Sequence, residues 1–428
     1  MSLLTEFQAK LSHHQYLIAF SGGLDSTALL ALFAKSREIR PHLQLRAIHI
    51  HHGLSPNADH WQAHCELICR QLNIPLLTRK VSVDKKKGIE QGAREARYQA
   101  IAEARLENEM VATAHHLQDQ TETFFLALKR SSGVKGLSAM QMESQLWGMP
   151  IFRPLLNYNK EELETYVRTQ ELPWIEDESN ADSRYERNFL RNDVLPALRE
   201  RWVHFDQAVQ MAAQHCYNQQ QLLTELLADE FQQNYDETDR TFDVTHFAQY
   251  SHNKQNALLR MWLETLGMPM LGESALTQLF QDVIFAKADR NPQFAAQDKL
   301  IRRYQNKLYL TPKFHDVSDY CVELRIGQIL LLPDYLGELQ LLKSAENLTA
   351  LWRYQGHEYR SVLPLTDEKI QVRLGYKGKV KLHANDLNRD IKKVWQQLNV
   401  PVWQRSRIPL IFYGEQLKSA VGFFDNFQ

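Results

Sequence analysis

The sequence predicts an α/β chain: a doubly wound parallel sheet first, then a helical domain and a small mixed α+β C-terminal domain. Three observations predict it. Short apolar runs alternate with amphipathic ones from Tyr16 to Arg130, as β-α-β crossovers require. Polar clusters follow three of the apolar runs: SGGLDS after Phe20, HIHHG after Ile48 and HHLQDQTET after Ala114. Sheets of this class bind ligands outside the carboxyl ends of their strands, so the three clusters are expected on one edge. From Ile151 the alternation stops.

In order, Tyr16–Phe20 reads as a strand and Ser26–Ser36 as a helix, Leu43–His49 as a strand and Pro56–Leu72 as a helix. Ile74–Val83 reads as a strand, Ile89–Leu106 as a helix, Met110–Ala114 as a short strand and Gln118–Arg130 as a helix. NKEELETYVRTQEL is helical, and a stretch rich in both charges follows it to Trp202. The text beyond is largely helical to about Ala288. Ile301–Leu310 makes a hairpin around Gln305-Asn306. The last segment, from Leu342, mixes short strands with a helix over Asn385–Leu398, and IPLIFYGEQLKSAVGFF gives two strands about Gly414-Glu415. The expected domains are 1–203, 204–315 and 342–428.

The 428 residues suffice for two or three domains. With 50 Lys and Arg against 51 Asp and Glu, net charge singles out no partner, and a local basic patch still allows a nucleic acid. Four cysteines form no CxxC pair, and Cys65 and Cys69 fall in the apolar stripe of one helix, which reads as buried thiols. No basic n-region precedes an apolar run, and no run nears the ~20 residues of a membrane span. The expected setting is cytoplasmic, with no membrane partner.

In SGGLDS, Gly22 and Gly23 carry no Cβ, so successive N–H groups can turn inward as an anion-binding nest at a helix start. The lysine of GxxxxGK[ST] is missing, and GxGxxG is missing too. Asp25 in an anion site makes sense as a Mg²⁺ ligand. A glycine-rich turn with Asp25 as helix N-cap accounts for the same residues. His115, Asp119 and Glu122, at i, i+4 and i+7, are expected on one helix face. His49 and His51 share a strand face, but one strand leaves a zinc set incomplete, so HIHHG reads as a polar lip where Gly53 lets a nucleotide approach.

AFSGGLDSTALL resembles the PP-loop of the N-type ATP pyrophosphatase superfamily, whose members split ATP to AMP and pyrophosphate while adenylating a carbonyl oxygen. HIHHGLSPNAD, GIEQGAREARY, TAHHLQDQTETFFLALKRSSGVKGLSAM, WIEDESNADSRYERNFLRNDVLPAL and the tail DIKKVWQQLNVPVWQRSRIPLIFYGEQL resemble the bacterial tRNA(Ile)-lysidine synthase family. The resemblance implies a carbon–nitrogen ligase. ATP adenylates O2 of the wobble cytidine in the CAU anticodon of tRNA(Ile), and free L-lysine displaces AMP at C2. The product, lysidine, changes the tRNA from Met to Ile in codon and amino-acid specificity. Asp25, His115 and Asp119 map onto the catalytic residues. Ser21, Gly22, Gly23, Leu24, Asp25, Ser26, His52 and Arg97 map onto the ATP site, and Asp119, Glu122 and Arg191 onto the lysine site. Mg²⁺ falls to Asp25 and Asp119.

One departure stands out: the family usually has two adjacent acids here, and the first is Gln118 in this chain. It motivates a second reading, a non-catalytic PP-loop tRNA-binding protein. A third is another PP-loop enzyme adenylating a different RNA base. On the RNA side, Arg184, Arg187 and Arg191 at spacings of three and four suit phosphate or a carboxylate, or else pair with Asp177, Glu178 and Asp182 just upstream. With the resemblance, Arg184, Arg187, Lys377, Lys379, Lys381, Lys392 and Lys393 are expected to contact tRNA. The oligomeric state stays open, a homodimer included.

Overall fold

The computed structural model describes residues 2–53, 55–84, 88–287, 291–382 and 387–426. The expected helix start at Asn385, the neighbouring Asp386 and the helical limit at Ala288 lie outside them. The chain forms two compact units, Met1–Leu226 and Leu227–Gln428.

The first unit opens with α1 (Leu3–Ala9) and β1 (Gln15–Ala19), then α2 (Leu24–Ile39), β2 (Gln44–His51), α3 (Ala58–Gln71), β3 (Leu76–Lys80), α4 (Ile89–Ala104) and β4 (Met110–Ala112). After α5 (Leu117–Lys129) and the short α6 (Val134–Leu137), the hairpin β5 (Glu143–Leu146) and β6 (Met149–Phe152) completes a six-stranded sheet. Its order is β3-β2-β1-β4-β6-β5, parallel apart from the β5 edge. β1 lies between β2 and β4, with Leu17 opposite Arg46 on one side and Val111 on the other. The chain therefore leaves β1 for one side of the sheet and later returns on the other. That reversal opens a crevice beyond the carboxyl ends of β1 and β4.

Burial of both sheet faces explains the apolar runs of β1 and β4, where Tyr16, Leu17, Ile18 and all of Met110–Ala112 are buried. Helices cover both sides, and Phe7, Tyr16 and Phe33 interlock at ring distances of 5.0 and 4.7 Å. Cys65 and Cys69 are buried in this core as expected.

Then come α7 (Lys160–Thr169), α8 (Glu186–Phe189), a π-helical turn over Leu190–Val194, α9 (Leu195–Arg201) and α10 (Phe205–Leu226). α10 folds back onto α5: Thr121 Oγ1 donates to the buried Asp206 at 2.5 Å, Gln120 Nε2 to Gln210 Oε1 at 3.0 Å, and the rings of Phe125 and Phe205 lie 5.9 Å apart. The boundary expected at 203 thus falls ahead of a helix that packs with the first unit.

The second unit is more β-rich than its sequence suggests. Helices His252–Thr265 and Glu273–Leu279 accompany a five-stranded antiparallel sheet that includes the expected hairpin, Lys299–Tyr304 with Lys307–Pro312. Its short strands Tyr235–Asp236 and Thr241–Asp243 are below the length at which alternation is readable. A second core runs from Leu324 to Val421 around three further antiparallel sheets, of five, four and two strands, and the tail helix covers Ile391–Gln397. Trp395 is buried there, and Trp403 is buried with its ring against Tyr304 and Tyr309. Among the described residues no helix is long and apolar enough to cross a membrane.

Candidate active site

The three polar clusters meet at the crevice. His49 Nδ1 lies 3.1 Å from Phe20 O, joining the second cluster to the first. Asp25 Oδ2 lies 3.6 Å from His116 Nε2, joining the first to the third.

α2 begins at Leu24, two residues earlier than the sequence suggests, so Asp25 stands in its first helical turn and Gly23 takes the N-cap. No side chain caps this end, so the first N–H groups face the crevice without intrahelical partners. Gly22 has φ +88°, and a Cβ there would sit 2.9 Å from Ile175 Cδ1 and 3.0 Å from Cys65 Sγ. Ile175 N–H donates to Gly22 O at 2.9 Å, pinning the loop from a distant segment. Ser26 Oγ and Thr27 Oγ1 both donate to Gly23 O at 3.0 Å, and Ser21 Oγ lies 3.1 Å from Ser26 Oγ. These hydroxyls shape the loop. Leu24 has a buried side chain, so it offers an anion only its N–H.

Asp25 Oδ1 is buried and without a hydrogen-bond partner. A desolvated, unpaired carboxylate oxygen beside an N–H nest fits a hard cation held with phosphate. Asp119 fits less completely. Its Oδ2 accepts from His116 N–H at 3.0 Å, and its Oδ1 faces Arg187 at 3.4 Å and Arg191 at 3.5 Å.

His116, next to the expected His115, stands between the two carboxylates, 3.6 Å from Asp25 and 3.5 Å from Asp119. Burial works against its charge, but Asp119 and Asp25 outweigh it and raise the pKa to about 9. His116 Nδ1 lies 2.9 Å from Gln118 Oε1 and 3.2 Å from the Gln118 backbone nitrogen. Gln118 Oε1 accepts from Lys160 N–H at 3.1 Å, at the start of α7. The amide at the departure position thus binds His116 and α7. The readable signal was His116-Leu-Gln-Asp119, the spacing of a capping box.

His115 lies in the turn before α5, not on its helical face. Its Nδ1 is 2.9 Å from Thr113 Oγ1. Burial lowers its pKa to about 3 despite Asp119, and Arg153 and Arg187 add to the effect, so the ring is neutral. Burial also disfavours charge on Asp119, but the charges of His116 and Arg187 prevail and hold it well below the usual carboxylate range.

Glu122 is fully buried one turn along. Arg187 Nε donates to Glu122 Oε2 at 2.6 Å and Arg191 Nε to Oε1 at 2.7 Å. Arg187 in α8 and Arg191 in the π turn, four residues apart, thus converge on one carboxylate. Arg187 is therefore found beside Arg191. Arg184 precedes α8, with an exposed side chain paired to Asp182 at 2.7 Å.

In the second cluster, His52 Nδ1 is buried without a partner, and burial with the Arg97 charge lowers its pKa to about 4. Arg97 is crowded by protein, and desolvation with Arg94 and Arg187 lowers its pKa, yet it retains solvent contact. Crowding with access is the condition of a cleft wall. In the second unit Lys377, Lys379, Lys392 and Lys393 are exposed, and Lys381 is half-buried.

A PP-loop domain family matches residues 2–198, a TilS substrate binding domain residues 242–309 and a TilS substrate C-terminal domain residues 370–426. Relatives match along the whole chain. A tRNA(Ile)-lysidine synthase of Actinobacillus succinogenes is 62% identical over 427 residues, covering 100% of both chains. One from Histophilus somni strain 129Pt is 54% identical over 432 residues, again covering 100% of both. One from Haemophilus influenzae strain Rd is 54% identical over 430 residues and 99% of each.

Proposed function

The chain belongs to the tRNA(Ile)-lysidine synthase family, and we propose that its first unit adenylates the wobble cytidine of a CAU-anticodon tRNA(Ile) and joins free L-lysine to it. It is an ATP-using ligase that forms lysidine in tRNA(Ile). The observation that carries the assignment of steps is one crevice with two unlike ends. Asp25 and the glycine nest lie at one end, and Asp119, Glu122, Arg187 and Arg191 at the other.

ATP lies with its β- and γ-phosphates on the N–H groups of Gly22 to Ser26 and its nucleoside toward His52 and Arg97. Mg²⁺, when bound, offsets the phosphate charge; Asp25 would hold it through the free Oδ1, with Asp119 facing from the other side. Cytidine O2 attacks the α-phosphate, the α–β bridging bond breaks and pyrophosphate leaves. Positioning and charge neutralisation do most of this work.

The far end suits a zwitterionic amino acid. Arginine binds a carboxylate in bidentate fashion, so Arg191, with Arg187 beside it, receives the lysine α-carboxylate, and Asp119 and Glu122 orient the amino groups. The ε-ammonium, with a free pKa of ~10.4, must lose a proton before it attacks. His115 Nε2 or Asp119 takes that proton. The amine then attacks C2, the C2–O bond breaks and AMP leaves. Arriving phosphates raise the low His115 pKa toward the range of a useful base. Arg184, Lys377, Lys379, Lys381, Lys392 and Lys393 supply phosphate contacts to the tRNA. All the named catalytic groups lie on one chain, and we place the reaction in the cytoplasm, where its three substrates meet.

The test is transfer of labelled lysine with release of AMP from ATP and Mg²⁺. Label is expected in unmodified CAU-anticodon tRNA(Ile) and not in a methionine tRNA. AMP release without label transfer would move the chain to another PP-loop chemistry. Binding of tRNA with neither product would leave a non-catalytic role, against which the engagement of Gln118 with His116 and α7 already speaks.

A further inference from the structure

Beside the amino-acid end of the crevice, α5 and α8 leave an open groove of about 510 Å³. Its floor is Phe125 and Leu128 from α5 with Phe189 and Leu190 from the α8 side, and Lys129 and Arg184 stand on its rim. Phe189 is 46% exposed and Leu128 53%. Large apolar side chains left in water beside a catalytic crevice mark a binding surface. Neither the catalytic steps nor the lysine site uses any of these four apolar residues.

From these observations we propose that the groove holds an unstacked base of the anticodon loop next to the wobble cytidine, with Phe189 as the stacking platform. This rests on the lysidine reading above and adds the residues that would hold the loop. Three features favour RNA as the occupant. First, the groove continues the site along the same two elements. Phe125 and Leu128 follow Asp119 by six and nine residues on α5, which is roughly 9 and 14 Å of helix rise. That is the reach of a neighbouring nucleotide. Second, exposed aromatic carbon with cations on the rim is the make-up of a single-strand site, where bases stack and phosphates meet Lys or Arg. Third, both rim cations have replaceable partners. Lys129 pairs with Glu186 at 2.6 Å and Arg184 with Asp182 at 2.7 Å, all in exposed settings apart from the half-buried Asp182. Such pairs contribute little, so phosphate can displace the acids. The Lys129–Glu186 pair joins α5 to α8, and the RNA backbone would take the place of Glu186.

The experiment measures kcat/KM for tRNA, with KM for ATP and lysine, in the full-length enzyme. Phe189→Ala is expected to lower kcat/KM for tRNA about tenfold, in the range of one lost stacking contact, and to leave both small-substrate KM values unchanged. Phe189→Tyr should restore it to within about twofold. Glu186→Gln should raise tRNA affinity two- to threefold at low salt, a gain that fades as salt rises. An abasic nucleotide beside the wobble position should cost the wild type the same factor and cost Phe189→Ala nothing more. Unchanged kcat/KM for tRNA in Phe189→Ala overturns the groove, as do losses that simply multiply when the abasic RNA meets the variant. Failure of the wild type itself to label tRNA(Ile) strikes the lysidine reading instead, so the two failures are distinct.

Discussion

The two ends of the crevice are built on opposite plans. At the phosphate end the chain supplies almost nothing but backbone: two glycines, the uncapped start of α2, hydroxyls turned onto Gly23 O and one carboxylate oxygen without a partner. At the amino-acid end every charge is already matched, with Glu122 held by Arg187 and Arg191, and Asp119 by His116 and the same arginines. The first end is unsatisfied until a ligand arrives. The second is organised beforehand, so a ligand must exchange with contacts that exist. A loop of short-range geometry tolerates little change at a single atom. A network of long-range pairs spreads its losses.

The most severe break of this contrast is Asp25→Ala. It removes the one free carboxylate oxygen of the phosphate end, and pyrophosphate release should fall by at least about a thousandfold, in line with the loss of a dominant electrostatic group. Thermal stability should fall only modestly, because Oδ1 has no partner to lose and the loss is confined to Oδ2, 3.6 Å from His116. Turnover near the wild type would dissolve the distinction. Glu122→Gln should act through the other plan. Lysine KM is expected to rise about thirtyfold with ATP KM little changed, because an amide cannot hold two guanidiniums as a carboxylate does. An equal rise in ATP KM would show that the ends are not separable.

Gly22→Ala tests the phosphate end without touching charge. At φ +88°, with Ile175 Cδ1 2.9 Å from the new Cβ, it should cost about 1–3 kcal/mol of strain and raise ATP KM about tenfold. Isothermal titration with a nonhydrolysable ATP analogue would read this directly. The smallest effect is on pH. His52 and His115 have folded pKa values lowered to about 4 and about 3, whereas the unfolded chain takes up protons near ~6.5. As pH falls from 6.5 the unfolded state gains protons that the folded site refuses, so stability falls until the folded pKa is reached. His116, raised to about 9, has the opposite sign: its contribution is complete below ~6.5 and is lost as pH climbs through 9. Melting curves at pH 7 and pH 5 should therefore show wild-type loss, and His52→Asn should recover about 1–2 kcal/mol of it. A variant that tracks the wild type would mean that His52 is not held neutral.

The same contrast explains what could be read from the residues. The sheet, its helices and the loop after β1 are local patterns, and SGGLDS carries its chemistry within six consecutive residues. The amino-acid end joins Glu122 to arginines 65 and 69 residues away, so spacing could offer three arginines but not say which two turn inward. The start of α8 at Glu186 decides that, leaving Arg184 ahead of the helix while Arg187 and Arg191, four apart, turn to Glu122. His116 was hidden by its neighbour: two adjacent histidines look alike in a sequence, while their folded surroundings push one pKa up and the other down. The short strands of the second unit were masked by the helices around them.

The seam between α5 and α10 has a consequence for how the catalytic unit unfolds locally. Thr121 and Gln120 are neighbours of Asp119 and Glu122, and both are fastened to α10 through Asp206 and Gln210. α5 therefore cannot fray from its amino-terminal side alone; the amides of that half should exchange with solvent as one cooperative block with those at the start of α10. A fragment expected to fold on its own should therefore include the start of α10. A fragment cut at residue 203 would bare the back of the helix on which the chemistry stands.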